Sequence, residues 1–204
     1  MDLVSLDADA MTVDASFDAA ALLWKPIAFS EADHRYPDVP PFMLVKSPAH
    51  DVLALRVPAA TVLYPVQGYT ANVFPASLRN PDEPVRMCLV VDPATLAFVR
   101  AMDERCREHN IANGHGYNRG YHLYETTSVS EEGVAYVKVN VQDDALAVDA
   151  ATGRLLALAG DGGDGKRMRG AVATDVLLRF CGTWGNCMMS GASWSLAAGV
   201  FEVE

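Results

Sequence analysis

A mostly antiparallel β barrel or open β sandwich carrying one inserted helix is the fold this sequence predicts. Three observations predict it. Short runs rich in β-branched and aromatic residues recur along the chain, bounded by Gly, Pro, Asn and Asp. Only one stretch, from Asp92 to His109, repeats apolar residues at helical spacing, whereas a doubly wound sheet needs several such periods. All eleven prolines lie at or before Pro93. Proline cannot donate to a central ladder, so the first half predicts short strands in irregular chain and the second half long, uninterrupted ones.

The length of 204 residues fits one domain, and a chain that is half hydrophobic and 21% charged can bury a sizeable core. Sixteen Lys and Arg against 26 Asp and Glu leave a net charge of -10. Such a field repels a polyanion at long range, so a nucleic-acid role would have to rest on a local basic groove. The four cysteines, Cys88, Cys106, Cys181 and Cys187, form no CxxC. Residues 1–20 lack the basic start and apolar core of a signal peptide, and no apolar run is long enough for a membrane span. An intracellular, reducing compartment is expected, with the cysteines as core fillers and no membrane partner.

Taken in order, residues 1–50 predict an irregular, Pro-rich extension packed on the domain, and residues 51–204 the β-rich domain itself. Within 1–20 five aspartates accompany Leu3, Val4 and Leu6, which read as an edge strand or a frayed tail. Strands are expected at 52–57, ended by Pro58, at 61–64, stopped by Pro65, and at 69–74, ended by Pro75. Turn chemistry fills 76–84, and VRMCLVV at 85–91 is strongly strand-like. Asp92-Pro93 opens the helix, expected over 93–109: Asp92 is placed to accept from the first-turn amides, and Pro93 suits the first helical position. Leu96, Val99, Met102 or Asp103, Cys106 and His109 form its core-facing stripe.

Three glycines and three asparagines between Asn110 and Gly120 predict a loop. Strands follow at 121–127 and 134–141, joined by a hairpin turn through SVSEEG. In the second, Val134, Tyr136, Lys138 and Asn140 share one face, while Ala135, Val137, Val139 and Val141 share the other. Asp143-Asp144 predicts a turn, and 145–149 and 154–159 two further short strands. The last two strands are expected at 171–180 and 192–203, with Gly182, Gly185 and Gly191 between them permitting bulges that help a barrel close.

Chemistry-bearing patterns are few. GDGGDGKR, Gly160 to Arg167, has Gly160, Gly165 and Lys166 at Walker A spacing. However, Arg167 stands where the magnesium-binding hydroxyl belongs, and a strand follows where a helix is needed. The segment reads as a mobile hairpin tip, or as a basic tip touching phosphate through Lys166, Arg167 and Arg169. Cys106, His109, His115 and His122 are looser in spacing than structural zinc sites. No metal, cofactor or catalytic residue is expected. Single-stranded nucleic-acid binding needs rings to stack on bases and cations to track phosphates. Trp24, Tyr64, Tyr69, Phe74, Tyr117, Tyr121, Tyr124, Tyr136, Trp184 and Trp194 are interleaved here with Lys46, Arg56, Arg79, Arg86, Lys138, Arg167, Arg169 and Arg179. Tyr136 and Lys138, on the polar face of one strand, are the strongest local signal.

In ordered series, LRVPAATVLYPVQGYTANVFPASLRNP, the helix LAFVRAMDERCREHNIA, VAYVKVNV and DVLLRFCGTWGNCMMSGASWSLAAGVFEV resemble the single-stranded DNA-binding proteins of large DNA viruses and some phages. The resemblance covers about 150 residues from Val52. It implies an OB-like barrel whose polar and aromatic face binds DNA without sequence preference or enzymatic activity. It implicates Tyr136, Lys138, Arg179, Trp184 and Trp194, to which the cluster Lys166, Arg167 and Arg169 adds. The acidic C-terminal tail that often recruits replication partners in that family is reduced here to Glu202 and Glu204. Single-stranded DNA, a second copy of the chain, and replication or virion proteins are the expected partners. A structural or virion assembly module that has lost nucleic-acid binding on the same barrel is the alternative.

Overall fold

The computed structural model describes residues 12–26, 42–46, 49, 51–68, 85–112, 122–158, 164–185 and 189–203. In chain order these form β1 (Thr12–Val13), β2 (Leu23–Pro26), β3 (Phe42–Val45), β4 (Leu53–Gly68), β5 (Val85–Val91), helix α1 (Pro93–Ala112), β6 (His122–Tyr124), β7 (Thr127–Val129), β8 (Ala135–Asp149), β9 (Val172–Gly185) and β10 (Met189–Glu202). Short 3-10 turns lie at Ala19–Ala21 and Asp164–Arg167.

Five strands close a mixed barrel. The pairs β4–β5, β5–β8, β4–β9 and β9–β10 are antiparallel, and a parallel β8–β10 pairing shuts the ring. With β4, β5, β8, β9 and β10 numbered one to five, the ring runs 1-2-3-5-4-1, an OB-like topology with α1 inserted between the second and third strands. The expected barrel with one inserted helix is therefore what the described residues form. Leu55, Val57, Met87, Leu89, Val137, Val139, Leu178, Phe180 and Trp194 fill its interior.

Two expected strand breaks are absent. The runs 52–57 and 61–64 are one strand, β4, which continues through Pro58 and Pro65. Each proline sits where the ladder is already irregular. Val57 pairs with Val176 and Ala59 with Thr174, so Pro58 falls opposite Asp175, a non-glycine residue at φ 49°. Pro65 lies in a register shift, where Tyr64 pairs with Cys88 and Gln67 with Arg86. At the Pro65 bulge no ladder amide is missed. Likewise 134–141 and 145–149 belong to one strand, β8, although its pairing to β10 slips where Asp143-Asp144 were expected to turn: Val141 pairs with Leu196, and Leu146 next with Ala198.

Of the strand expected at 154–159, the described residues 154–158 form a single bridge, between Leu155 and Val148. The run 121–127 is split into β6 and β7. The expected strand at 69–74, and Leu3, Val4 and Leu6, lie outside the described residues. Between β9 and β10 the ladder shifts register at Ser193/Trp194, beside Gly182 at φ 97°, which is the bulge expected of these glycines.

Helix α1 starts as expected. The Asp92 carboxylate accepts from the Ala94 and Thr95 amides at 2.9 and 3.0 Å and from the Thr95 hydroxyl. These bonds hold its carboxyl below the usual range, the Thr95 hydroxyl bond contributing most. The helix runs one turn further than expected, and buries Phe98, Val99, Met102, Asp103, Cys106 and Asn110. Trp24 on β2 stacks on His109 with ring centroids 3.9 Å apart, and the Arg105 guanidinium lies 5.7 Å from the same ring. Arg105 also donates to the carbonyls of Ala19 and Leu22. This clasp fastens β2 and the preceding 3-10 turn to the helix, while β1 pairs in parallel with β4.

Candidate functional site

The outer surface of the second and third barrel strands, β5 and β8, gathers Arg86 and Lys138 with the rings of Tyr124, Tyr136 and Tyr64. Alternation creates it. Met87 and Leu89 on β5 and Val137, Val139 and Val141 on β8 are buried, so Arg86 and Cys88 face outward opposite Asn140 and Lys138. Tyr136, Lys138 and Asn140 are half-buried on the face expected from their alternation.

Tyr124, at the end of β6, is the centre of this face. The Lys138 ammonium lies 4.7 Å from its ring centroid and the Arg86 guanidinium 5.3 Å. Contacts of this kind contribute about 0.5–2 kcal/mol each, more when desolvated. Tyr136 meets Tyr64 of β4 edge-on, with centroids 5.8 Å apart. Asn140 donates to the Ser193 hydroxyl at 3.2 Å, which extends the polar surface onto β10. A glycine is required where β6 meets β10. A Cβ on Gly191 would sit 2.7 Å from the Tyr124 carbonyl oxygen and 3.0 Å from the Tyr124 Cβ.

Burial and then the nearby Arg86 guanidinium hold the Lys138 ammonium below its ordinary value, with Cys88, Asp103 and Glu125 acting the other way. Two cations share a partly desolvated surface, an arrangement that an incoming anion would relieve. The Cys88 thiol beside them is pushed up to about 11 by burial, so it is no nucleophile at neutral pH. Cys106 is pushed up further, again by burial.

The other residues singled out in the sequence are dispersed. Arg179 on β9 lies in one cross-strand row with Arg86, Asn140 and the buried Ser195, but its guanidinium pairs with Asp144 at 2.9 Å. Arg167 and Arg169 are exposed beside β9, in a turn docked on β4 by Gly170 N–H to the Val62 carbonyl at 2.8 Å. That places the turn two residues along β4 from Tyr64, and about 23 Å of strand from Arg179, counting seven residues from Val172. The side chains of Lys166 and Trp184 lie outside the described residues. Trp194 does not reach the surface: it is 1% exposed, edge-on to Phe180 at 5.2 Å, and is a core residue. Ala192, Leu196 and Ala198 are buried with it, so unbroken alternation along β10 places the ring on the inward face.

Arg86, Tyr64 and Tyr124, three among many scattered rings and cations of the sequence, are brought to one face only by the fold. Arg86 carries one local signal, alternation with buried Met87. Nothing in the sequence pairs it with Tyr124, 38 positions away. The Walker-like segment ends in a hydrogen-bonded turn: Asp164 accepts from Arg154 at 3.1 Å and from the Ala157 amide at 3.1 Å. Among the described residues no group of three His, Cys, Asp or Glu could hold a metal ion, and no helix is long and apolar enough to cross a membrane.

No protein-family model matches the chain, and no curated protein does. Among solved structures it is similar to gp2.5, a single-stranded DNA-binding protein encoded by bacteriophage T7. The likeness is distant. It covers 75% of this chain and 88% of that one, at 13% identity and a TM-score of 0.41.

Proposed function

We propose that this chain is a non-enzymatic, sequence-nonspecific binder of single-stranded nucleic acid, DNA first, and that the outer face of β5 and β8 is its contact surface. One observation carries the reading: Arg86 and Lys138 converge on the Tyr124 ring, with Tyr136 and Tyr64 alongside. In OB-like barrels the face of the second and third strands is the one that takes oligonucleotides. The chemistry suits the task. Rings stack on bases whatever their identity, and paired cations neutralise the backbone between them. The charge of -10 requires that neutralisation to be local, and a half-buried cation pair supplies it where bulk composition does not.

The test is fluorescence anisotropy with labelled single- and double-stranded oligonucleotides across a salt series. The expected result is salt-sensitive binding of the single strand. Lys138→Ala should weaken it evenly across sequences and reduce the salt slope by about 0.7, the value of one lost phosphate contact. Tyr136→Ala should cost about 1–3 kcal/mol and leave the slope unchanged. Absence of single-strand binding at low salt removes the reading. It would favour the assembly module on the same barrel, a second reading supported by the Arg179–Asp144 pair and the buried Trp194.

A further inference from the structure

We propose that Asp103 is a positioning residue for the candidate site, holding the Tyr124 ring against Arg86 and Lys138 through Thr126; this rests on the nucleic-acid reading of that face. Thr126 is the joint between β6 and β7, and it is 1% exposed. Its amide donates to Asp103 Oδ2 at 2.9 Å and its hydroxyl to Asp103 Oδ1 at 2.6 Å. Its carbonyl accepts the Lys138 amide at 2.8 Å. One residue thus ties α1 to β8, and Tyr124 is two positions before it.

On its other side Tyr124 is pressed against the Gly191 backbone of β10. β6 and β7 are three residues each and cannot orient this ring by their own ladders alone. A buried carboxylate is costly unless it is hydrogen-bonded. Both oxygens of this one serve Thr126, and the acid is 4% exposed. Its role is to fix the joint, and through the joint the ring on which both cations lie.

The test compares Asp103→Ala, Asp103→Asn and Thr126→Val with the unaltered full chain, using two readouts. One is hydrogen exchange at the Lys138 amide, with the Leu178 amide of β9 as the barrel reference. The other is anisotropy with an oligo(dT) single strand. Asp103→Ala is expected to lower Lys138 protection roughly tenfold while Leu178 is unchanged, the scale of losing a buried hydrogen-bond pair. Affinity should fall about five- to tenfold, the scale of one displaced stacking ring, although a negative charge has been removed from beside the site. Asp103→Asn keeps an acceptor for the Thr126 amide and a partner for its hydroxyl, and should restore both readouts.

Asp103→Ala with Lys138 protection intact, or with affinity equal to or tighter than Asp103→Asn, overturns the proposal. If Asp103→Ala does not fold, Thr126→Val decides: smaller losses in the same direction support the tether, and unchanged protection and affinity refute it. If the unaltered protein binds no single strand, the nucleic-acid reading falls, while the exchange readout still decides the tether.

Discussion

Asp103→Asn is expected to stabilise the protein at neutral pH relative to its stability near pH 4. The Asp103 carboxyl is pushed up from 3.8 to about 6, burial being the dominant cause; the two Thr126 hydrogen bonds oppose it, Glu125 adds to it and Lys138 opposes it. The folded protein therefore holds this proton where the unfolded chain has released it. The stability the acid contributes is complete below about pH 4 and is lost as pH rises through about 6. The gap is about two pH units at about 1.4 kcal/mol each, so the loss is about 3 kcal/mol.

Asparagine carries no proton to lose. Urea unfolding of both proteins at a series of pH values, with the slope held constant, gives the difference directly. That difference should grow in favour of Asp103→Asn by about 3 kcal/mol between about pH 4 and pH 7.5. Carboxylates held low by their own bonds, such as Asp92 and Asp164, lose their contributions only as pH falls, and do so equally in both proteins. A difference that stays flat across the range, or shrinks, would show that Asp103 does not hold its proton in the folded state and would refute the argument.

Other substitutions separate the site from its support. Trp194→Ala should cost about 3–5 kcal/mol in a thermal or denaturant melt, because the ring is sealed in the barrel. Trp194→Phe should cost less and leave single-strand affinity unchanged, since the indole N–H has no hydrogen-bond partner among the described residues. Gly191→Ala should force β6 away from β10, costing about 1–3 kcal/mol in denaturant unfolding, and should loosen the Tyr124 ring, seen as broadened tyrosine resonances in NMR spectra. Asp92→Ala removes the cap of α1 and should cost about 1 kcal/mol, a fall in melting temperature of about 2–4 °C followed by circular dichroism.

The elements that could be read from sequence are those whose signal is local. Asp92-Pro93 marks the helix start because capping is settled within four residues. VAYVKVNV declares its two faces because alternation needs no partner. What was not legible depends on partners distant in sequence. The continuity of β4 through Pro58 turns on the irregular backbone of Asp175 across the ladder. Trp194 is the exception: its inward face was legible locally, in its alternation with Ser193 and Ser195 between Ala192 and Leu196. Arg179 reads as an available cation until Asp144, 35 positions earlier, is brought beside it. Within the candidate site, Tyr136 and Lys138 were visible from their own strand. Tyr124 and Arg86 became neighbours only when β6, β5 and β8 came together.

The parallel seam between β8 and β10 has a bearing on how the chain is made. β10 is hydrogen-bonded to β9, β8 and β6, so three earlier segments wait for it. On the ribosome, β4, β5 and α1 emerge well before the strand that completes the cylinder. In the interval the rim of β8 presents unsatisfied amides and carbonyls to any passing extended peptide. Seams of such long sequence separation form late and slowly. A nascent chain of this design is therefore exposed to chaperones, and to copies of itself, until residue 202 has left the exit tunnel.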